Sequence, residues 1–290
     1  MGDKDGIPWG SLAKGAVEGV LKGIADWFRG RKTLPPPTPD APATDGANPR
    51  GILIIGPGGV GKTTLARMLS GGFDWLSDDP WRYDESITTD RLLLEDDPRT
   101  EIVVPPGQEH RRNATWPSTL ADVRSGKFRG VIFLAANGHH TPTHERFQDH
   151  PDYQGDKDKF VKRLVEEQRT EEVRTFERVA VAVAESSKKV WFLHLIGKQD
   201  LWISKQAEAE AFYAAEPYPE LIDRMRRGVG ESRFWYERLS VCLVISNWYL
   251  KRADQRLKSN ESGYDHRRQV ETLRRLFEVM LTLIEWEQEP

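Results

Sequence analysis

Cysteine is almost absent from the 290 residues: Cys242 is the only one, so the chain cannot form an internal disulfide. Cys242 lies in the apolar run VCLVIS, which predicts a buried, reduced thiol of the kind found in cytosolic proteins. No run of about 18 uncharged apolar residues is present, which argues against a membrane-spanning helix, and no signal-peptide pattern opens the chain. The formal net charge of -3 gives no overall basic field, so nucleic acid is not expected as an obligatory partner. These absences predict a globular, cytoplasmic protein with one large domain or two small ones.

The first fifty residues differ in composition from the rest. Residues 34–50 contain six prolines and almost no apolar side chains, which predicts an extended linker. Residues 9–32 place apolar side chains at helical spacing with charged ones on another face, which predicts an amphipathic helix within residues 1–33. This helix would pack on its own domain, dock on a protein partner, or lie peripherally on an acidic inner membrane surface. The main domain is expected over residues 51–290, with helical insertions.

A phosphate-binding loop is predicted after the first strand. Residues 52–55, ILII, have the continuous apolar character of a strand buried on both faces, and a helix is expected from Leu65. Between them, GPGGVGKTT has the spacing of a loop whose backbone N–H groups surround phosphate oxygens at the start of a helix. Lys62 is expected to reach the terminal phosphates, and the Thr63 hydroxyl is expected to ligate Mg²⁺. The predicted nucleotide-binding residues of this loop are Gly56, Gly58, Gly59, Val60, Gly61, Lys62, Thr63 and Thr64.

Six apolar runs predict six strands, at residues 51–55, 91–95, 101–105, 130–137, 189–197 and 239–246. Helical patterns separate most of them, notably over residues 159–185 and 205–227, and residues 270–286 close the chain. This alternation predicts an α/β fold of three layers, with a mostly parallel six-stranded sheet and helices on both faces. The short connection LEDDPRT predicts that the second and third strands form an antiparallel hairpin at an edge of the sheet.

The order of these elements resembles the Ras-like regulatory GTPases of the P-loop NTPase fold, as a divergent, bacterial-type member with an added N-terminal helix. PPGQEH, residues 105–110, follows the third predicted strand, where the family has an aspartate, two residues, glycine and Gln-Glu. The resemblance implies that Gly107 donates its N–H to the terminal phosphate and that Gln108 orients the attacking water. Lys62 and Gln108 would then be the catalytic residues.

The expected Mg²⁺ site departs from the family pattern. Val104 stands where the family has the aspartate that steadies the ion. Three acidic residues of the preceding segment are candidates to compensate for it: Asp78, Asp79 and Asp84. The threonine that joins Mg²⁺ beside Thr63 is expected at Thr88, and Thr89 is the alternative.

Base recognition is expected from two loops. IGKQD, residues 196–200, is similar to the family's Asn-Lys-x-Asp element, with Gly197 in place of asparagine. Asp200 would accept hydrogen bonds from both guanine N–H groups, and the stem of Lys198 would pack on the base. ISNW, residues 245–248, stands in the place of the family's Ser-Ala-Lys loop, so Ser246 and Asn247 are expected at the base.

The resemblance implies a GTP-binding switch with slow, Mg²⁺-dependent hydrolysis, which signals to a protein partner through loops over residues 78–91 and 107–119. Two other classes stay open: an ATP-using kinase or ATPase, and an interaction module that holds nucleotide without turnover. Arg111 and Arg112 follow Gln108 closely enough for an internal arginine finger, although surface contacts are the commoner role of arginine. His139, His140 and His144 are predicted to lie in a solvated or partner-facing loop, with zinc binding as the alternative.

Overall fold

A computed structural model describes residues 51–71, 88–94, 97–142, 146, 150, 152–250 and 255–288. The predicted N-terminal helix over residues 1–33 and the linker over residues 34–50 lie outside the described residues, as do Asp78, Asp79, Asp84 and His144. Among the described residues, no helix combines the length and the apolar character that crossing a membrane requires.

The centre of the molecule is a six-stranded sheet in the order β2-β3-β1-β4-β5-β6. Its strands are β1 (Gly51–Ile55), β2 (Asp90–Leu94), β3 (Asp97–Val104), β4 (Phe128–Ala135), β5 (Val190–Ile196) and β6 (Phe234–Ser240). β2 pairs antiparallel with β3, whereas every other pairing in the sheet is parallel. The predicted fold class and the antiparallel edge hairpin are therefore confirmed.

Helices cover both faces of the sheet. They are α1 (Lys62–Leu69), α2 (Glu109–Arg124), α3 (Lys157–Ala184), α4 (Gln206–Ala214), α5 (Tyr218–Val229) and α6 (His266–Gln288). Alternate residues of a strand point to opposite faces. Accordingly, Ile52 and Ile54 pack with side chains of α1 and α6, while Leu53 and Ile55 pack with those of α2, α3 and α5. A small antiparallel ribbon of β7 (Trp248–Tyr249) and β8 (Arg256–Lys258) completes the fold.

The prediction of the sixth strand over residues 239–246 is wrong. β6 runs over Phe234–Ser240 and pairs with β5 along its whole length, and residues 241–246 form a loop. β6 is the last strand of the sheet and is only half-buried, so its sequence FWYERLS lacks the continuous apolar character of a central strand. Val241 and Cys242 are fully buried although they lie in a loop, and for this reason the run VCLVIS resembles a strand.

The helical pattern over residues 205–227 is interrupted. α4 ends at Ala214 and α5 begins at Tyr218, and Pro217 lies between them. Proline lacks the N–H that would continue a helix and disfavours the helical conformation of the residue before it. The other two predicted helices are confirmed as α3 and α6, each with slightly different ends.

Gly130 of β4 leaves room for the fully buried indole of Trp191 on the neighbouring strand β5, because a Cβ at this position would overlap the ring. We expect Gly130→Ala to lower the free energy of unfolding by about 1–3 kcal/mol, as overpacking of a rigid core does. Gly263→Ala is the control, because a Cβ there meets no atom within 4 Å. Urea unfolding of both variants measures the difference, and equal stabilities would contradict this account of the packing.

Candidate functional site

The loops that carry the predicted motifs meet at one edge of the sheet. β1, β3, β4, β5 and β6 all end there, and the carboxyl ends of parallel strands form the usual ligand site of an open α/β sheet. The loops after β1 and β3 form the phosphate side of the candidate site. The loops after β4, β5 and β6 form the base side.

The phosphate loop links β1 directly to α1. Its conformation depends on glycine, because Gly59 and Gly61 adopt φ angles of 71° and 99°, which side chains with a Cβ rarely allow. Such a sequence of turns directs successive N–H groups inward and places them at the positive end of the following helix. The backbone here is suited to surround an anion.

Lys62, the first residue of α1, is buried in the loop rather than extended into solvent. Its Nζ donates a hydrogen bond to the Pro57 carbonyl at 2.7 Å. Burial and the positive charge of Arg112 lower the pKa of Lys62 from 10.5 to about 7, against the opposing effects of Glu171 and Asp90. Burial therefore disfavours the charged form of Lys62 more than Glu171 and Asp90 favour it.

Gly107 and Gln108 pack directly on the phosphate loop. A Cβ at Gly107 would overlap Lys62 Nζ and would lie 2.6 Å from the Gly56 carbonyl oxygen, so only glycine fits there. Gln108 is buried, and its Cγ lies 3.4 Å from the position of a Cβ on Gly58. The structure thus brings together Lys62, Gly107 and Gln108, as the sequence predicts.

The second predicted loop, over residues 107–119, is mostly helical, because α2 begins at Glu109. Trp116 anchors this helix: its indole is fully buried and donates to the Pro106 carbonyl at 2.9 Å. Arg112 is buried and binds Glu171 of α3 at 2.6 Å and the Thr175 hydroxyl at 3.2 Å. In this arrangement Arg112 fastens α2 to α3, and an arginine finger at Arg111 or Arg112 stays a prediction.

A carboxylate from β2 reaches the phosphate loop. The Thr63 hydroxyl lies 3.5 Å from Oδ2 of Asp90, the first residue of β2. Thr88 is exposed just before this strand, and its predicted role as a Mg²⁺ ligand stays a prediction. Val104, at the end of β3, is buried in the core.

Asp200 lies on the base side, just beyond the end of β5, and its carboxyl group is almost fully buried. Oδ2 accepts a hydrogen bond from the Ser246 N–H at 2.9 Å, and Oδ1 lies 3.3 Å from Cys242 Sγ. Burial raises the pKa of Asp200 to about 6, although the Ser246 N–H, the Cys242 thiol and Lys198 favour the ionised form. Asp200 and the 241–246 loop therefore form one unit.

Ser246 and Asn247 are both near the base side, but their contacts differ from the expectation. The Ser246 N–H binds Asp200. The Asn247 amide oxygen accepts the Asn260 N–H at 3.0 Å, and its nitrogen donates to the Tyr249 hydroxyl at 3.1 Å. Asn247 therefore connects this loop to the β7–β8 ribbon, and its contact with a base stays a prediction.

The loop after β4 joins the phosphate side to the base side. Thr141 donates its N–H to the Gly59 carbonyl at 3.0 Å. Lys198 Nζ donates to the His139 carbonyl at 2.7 Å and to the Thr141 hydroxyl at 3.1 Å. Burial lowers the pKa of Lys198 to about 8. The predicted contact of the Lys198 stem with a base stays a prediction, whereas its ammonium group is fixed on this loop.

The prediction of a solvated or partner-facing histidine loop is wrong for His139 and His140, because both side chains are buried. His139 packs on the Trp248 ring with 4.9 Å between ring centroids, and burial lowers its pKa to about 3. His140 Nε2 donates to Glu172 at 2.8 Å. Burial disfavours the charge on His140, but Glu171 and Glu172 outweigh it and raise the pKa of the imidazole.

One group within the described part of the chain, His150, Asp152 and Glu167, has its ligand atoms close enough together to hold a metal ion. Arg163 already contacts both carboxylates, at 2.7 Å from Asp152 and 3.6 Å from Glu167. These contacts make the group an ion-pair network on the surface of α3.

The sheet order, the glycine-dependent loop before α1 and the contact of Gly107 and Gln108 with that loop now stand together. The described residues therefore have a three-layer α/β fold with a glycine-dependent loop between β1 and α1, the fold class that the sequence predicts. No family model and no curated protein matches the sequence.

Several solved structures are similar to this chain. One is the ADP ribosylation factor-like GTP-binding protein, small COPII coat GTPase SAR1, of Encephalitozoon cuniculi in complex with GDP. The match has 14% sequence identity, covers 94% of this chain and 91% of that chain, and has a TM-score of 0.37. Another is the GDP-bound signal recognition particle receptor SRb of Chaetomium thermophilum, with 14% identity, 69% of this chain, 92% of that chain and a TM-score of 0.35. A structure of the chloroplast translocon components atToc33 and psToc159 has 11% identity, covers 95% and 92% of the two chains, and has a TM-score of 0.41.

Two residues of this candidate site are not predicted from the sequence. Asp90 contacts Thr63, and Glu172 is a fully buried carboxylate of α3 that binds the loop after β4. Glu172 carries a signal that identifies it in retrospect. It lies four residues after Gln168 and four before Phe176, on the buried stripe of a long helix, where an ionisable side chain needs partners.

The low pKa of Lys62 predicts a pH dependence of stability. Between pH 7 and 10.5 the unfolded protein holds a proton on Lys62 that the folded, nucleotide-free protein lacks, so this group makes the free energy of unfolding rise with pH. The slope from this group is at most about 1.4 kcal/mol per pH unit. We expect urea unfolding of the nucleotide-free protein from pH 7 to 9 to show a smaller slope in Lys62→Met than in the wild type. The other titrating groups are common to both chains, so equal slopes would mean that Lys62 keeps an ordinary pKa.

Proposed function

We propose that the protein is a GTP-binding molecular switch that hydrolyses GTP slowly with the help of Mg²⁺. The observation that carries the proposal is the packing of Gly107 and Gln108 on the phosphate loop, with Lys62 buried between them. This packing supports the proposal because the residues expected to sense and to cleave the terminal phosphate would then lie beside the phosphates that the loop would hold. The GTP-binding and GDP-bound proteins among the similar structures are consistent with guanine nucleotide as the ligand class.

Phosphate binding would rest on the loop backbone and on Lys62. The loop around Gly59 and Gly61, shaped by their positive φ angles, would present its N–H groups to the phosphates, and Lys62 would add an ammonium group. To reach the phosphates, Lys62 would exchange its bond to the Pro57 carbonyl for bonds to phosphate oxygens. The negative charge of the nucleotide would then restore the ordinary protonation of the lysine.

Guanine selection would rest on Asp200. A carboxylate accepts two hydrogen bonds side by side, and guanine offers two neighbouring N–H donors, whereas adenine has no donor at the corresponding ring nitrogen. The Ser246 N–H already holds one carboxylate oxygen and fixes the direction of the group. The buried position increases the penalty for a base that leaves the carboxylate without donors.

In hydrolysis, Gln108 would orient the attacking water. The side chain of Gln108 is buried, so few other water molecules would reach it. Bound Mg²⁺ would neutralise charge on the β- and γ-phosphate oxygens. The segment over residues 78–91 and the start of α2 would respond to the terminal phosphate, and a protein partner would read the response. The protein would be cytoplasmic, and residues 9–32 would add a second contact, either with a protein partner or with the inner surface of the membrane.

We expect Asp200→Asn to exchange nucleotide preference. The amide replaces one acceptor with a donor, so affinity for GDP should fall by roughly 100-fold, while XDP, whose base has an oxygen in place of the 2-amino group, should bind more tightly than GDP. Asp223→Asn, an exposed aspartate of α5, is the matched control. Titration with fluorescent GDP, XDP and ADP measures all three proteins. Tighter binding of ADP than of GDP by the wild type would favour an ATP-using enzyme instead.

We expect Gln108→Ala to keep GTP affinity and to lower the single-turnover rate of phosphate release by about 100-fold, because the variant loses only the group that orients water. Thr282→Ala, an exposed position on α6 away from the phosphate loop, is the control for handling and purity. If Gln108→Ala released phosphate as fast as the wild type, Gln108 would have no catalytic role. Tight GTP binding without any release would favour an interaction module.

A further inference from the structure

The pairing of β2 with β3 places the carboxylate of Asp90 beside Val104, which itself offers no metal ligand. In this antiparallel pair Asp90 lies directly opposite Val104. Directly opposed residues direct their side chains to the same face of the sheet. The β-carbons of Asp90 and Val104 therefore face α1 together, on the side of the sheet where the helix starts at Lys62.

The side chain of Asp90 extends from this face to the phosphate loop. Its Oδ2 lies 3.5 Å from the Thr63 hydroxyl oxygen, and the residue is half-buried. The carboxylate is also close enough to Lys62 to raise the pKa of that lysine against burial. Asp90 thus contacts the hydroxyl that is expected to ligate Mg²⁺ and affects the lysine that is expected to bind the phosphates.

The donors in this place suit a hard cation. Mg²⁺ binds through few protein oxygens, usually one or two carboxylates and hydroxyls together with phosphate oxygens and water. Thr63 and Asp90 supply one hydroxyl and one carboxylate from two adjacent elements, α1 and β2. Among the described residues, Arg112 and Glu171 as well as Asp90 act electrostatically on Lys62, so groups of both signs are available to an anionic nucleotide and its cation.

We propose that Asp90 supplies the carboxylate that holds Mg²⁺ beside Thr63, and that β2 thereby provides what Val104 does not provide from β3. The proposal rests on the proposed function, because the ion would be bound together with the nucleotide. Asp90 is not one of the three candidates named from the sequence, Asp78, Asp79 and Asp84. The assignment makes β2 part of the metal site.

Metal affinity, measured without turnover, tests this assignment. The full chain is saturated with GDP in EDTA, freed of chelator and titrated with Mn²⁺, whose free concentration is followed by its electron paramagnetic resonance signal. We expect Asp90→Asn to bind Mn²⁺ at least about tenfold more weakly than the wild type. GDP affinity in EDTA should not be weakened, because the variant keeps the shape of the side chain and removes a negative charge near the phosphates.

Glu101→Gln is the matched control, because it removes a carboxylate from β3 of the same hairpin that is bound to Arg91 on the exposed surface. It should leave Mn²⁺ affinity unchanged. In the Asp90→Asn background, a carboxylate returned to β3 by Val104→Asp should restore Mn²⁺ affinity if the double variant binds GDP as the wild type does. Equal Mn²⁺ affinity of Asp90→Asn and wild type, with GDP bound to both, overturns the assignment alone. Failure of the wild type to bind GDP at all overturns the proposed function together with it.

Discussion

The shape of the candidate site depends on one buried carboxylate. Glu172 of α3 is fully enclosed and accepts four hydrogen bonds, from the Ala136 and Gly138 N–H groups, from His140 Nε2 and from the Tyr213 hydroxyl. A charge at this depth is tolerated only with such a set of donors, and the donors in turn have no water to replace it. The conformation of the loop after β4 is therefore fixed by α3. That loop contacts the phosphate loop through Thr141 and the loop after β5 through Lys198, so both sides of the site depend on the same anchor.

This arrangement explains how the site accommodates two departures from the family pattern. At Gly197 the family has asparagine, and a Cβ there would lie 3.6 Å from the Val60 carbonyl of the phosphate loop, within reach of a longer polar side chain. In this chain the Thr141 N–H and the Lys198 ammonium group connect the same loops from the other side. At Val104 the side chain is apolar, and the carboxylate beside Thr63 comes from the opposite strand, through Asp90. At both positions, residues elsewhere in the chain connect the neighbouring elements.

The features that were predictable from the sequence are local ones. Residues 52–64 specify a buried strand, a glycine-dependent turn and a helix start through properties of neighbouring residues, and the structure has all three. Position in the sheet is not local: β6 is an edge strand with a mixed sequence, whereas the more apolar residues after it form a buried loop. The partners of Glu172 come from residues 32 to 41 positions away, and the contact between Asp90 and Thr63 spans 27 positions. No pattern within a short window contains such pairs, because chain topology decides them.

The two sides of the site carry opposite electrostatic costs. On the phosphate side, burial lowers the pKa of Lys62, and on the base side, burial raises the pKa of Asp200. Each group holds its charge against desolvation with too few partners of its own. A ligand that brought negative charge to Lys62 and paired N–H donors to Asp200 would stabilise both charged forms at once, whereas inorganic phosphate or a free base would help only one of them. Under the proposed function the phosphates would meet the first group and the base the second, and the loop after β4 joins the two sides.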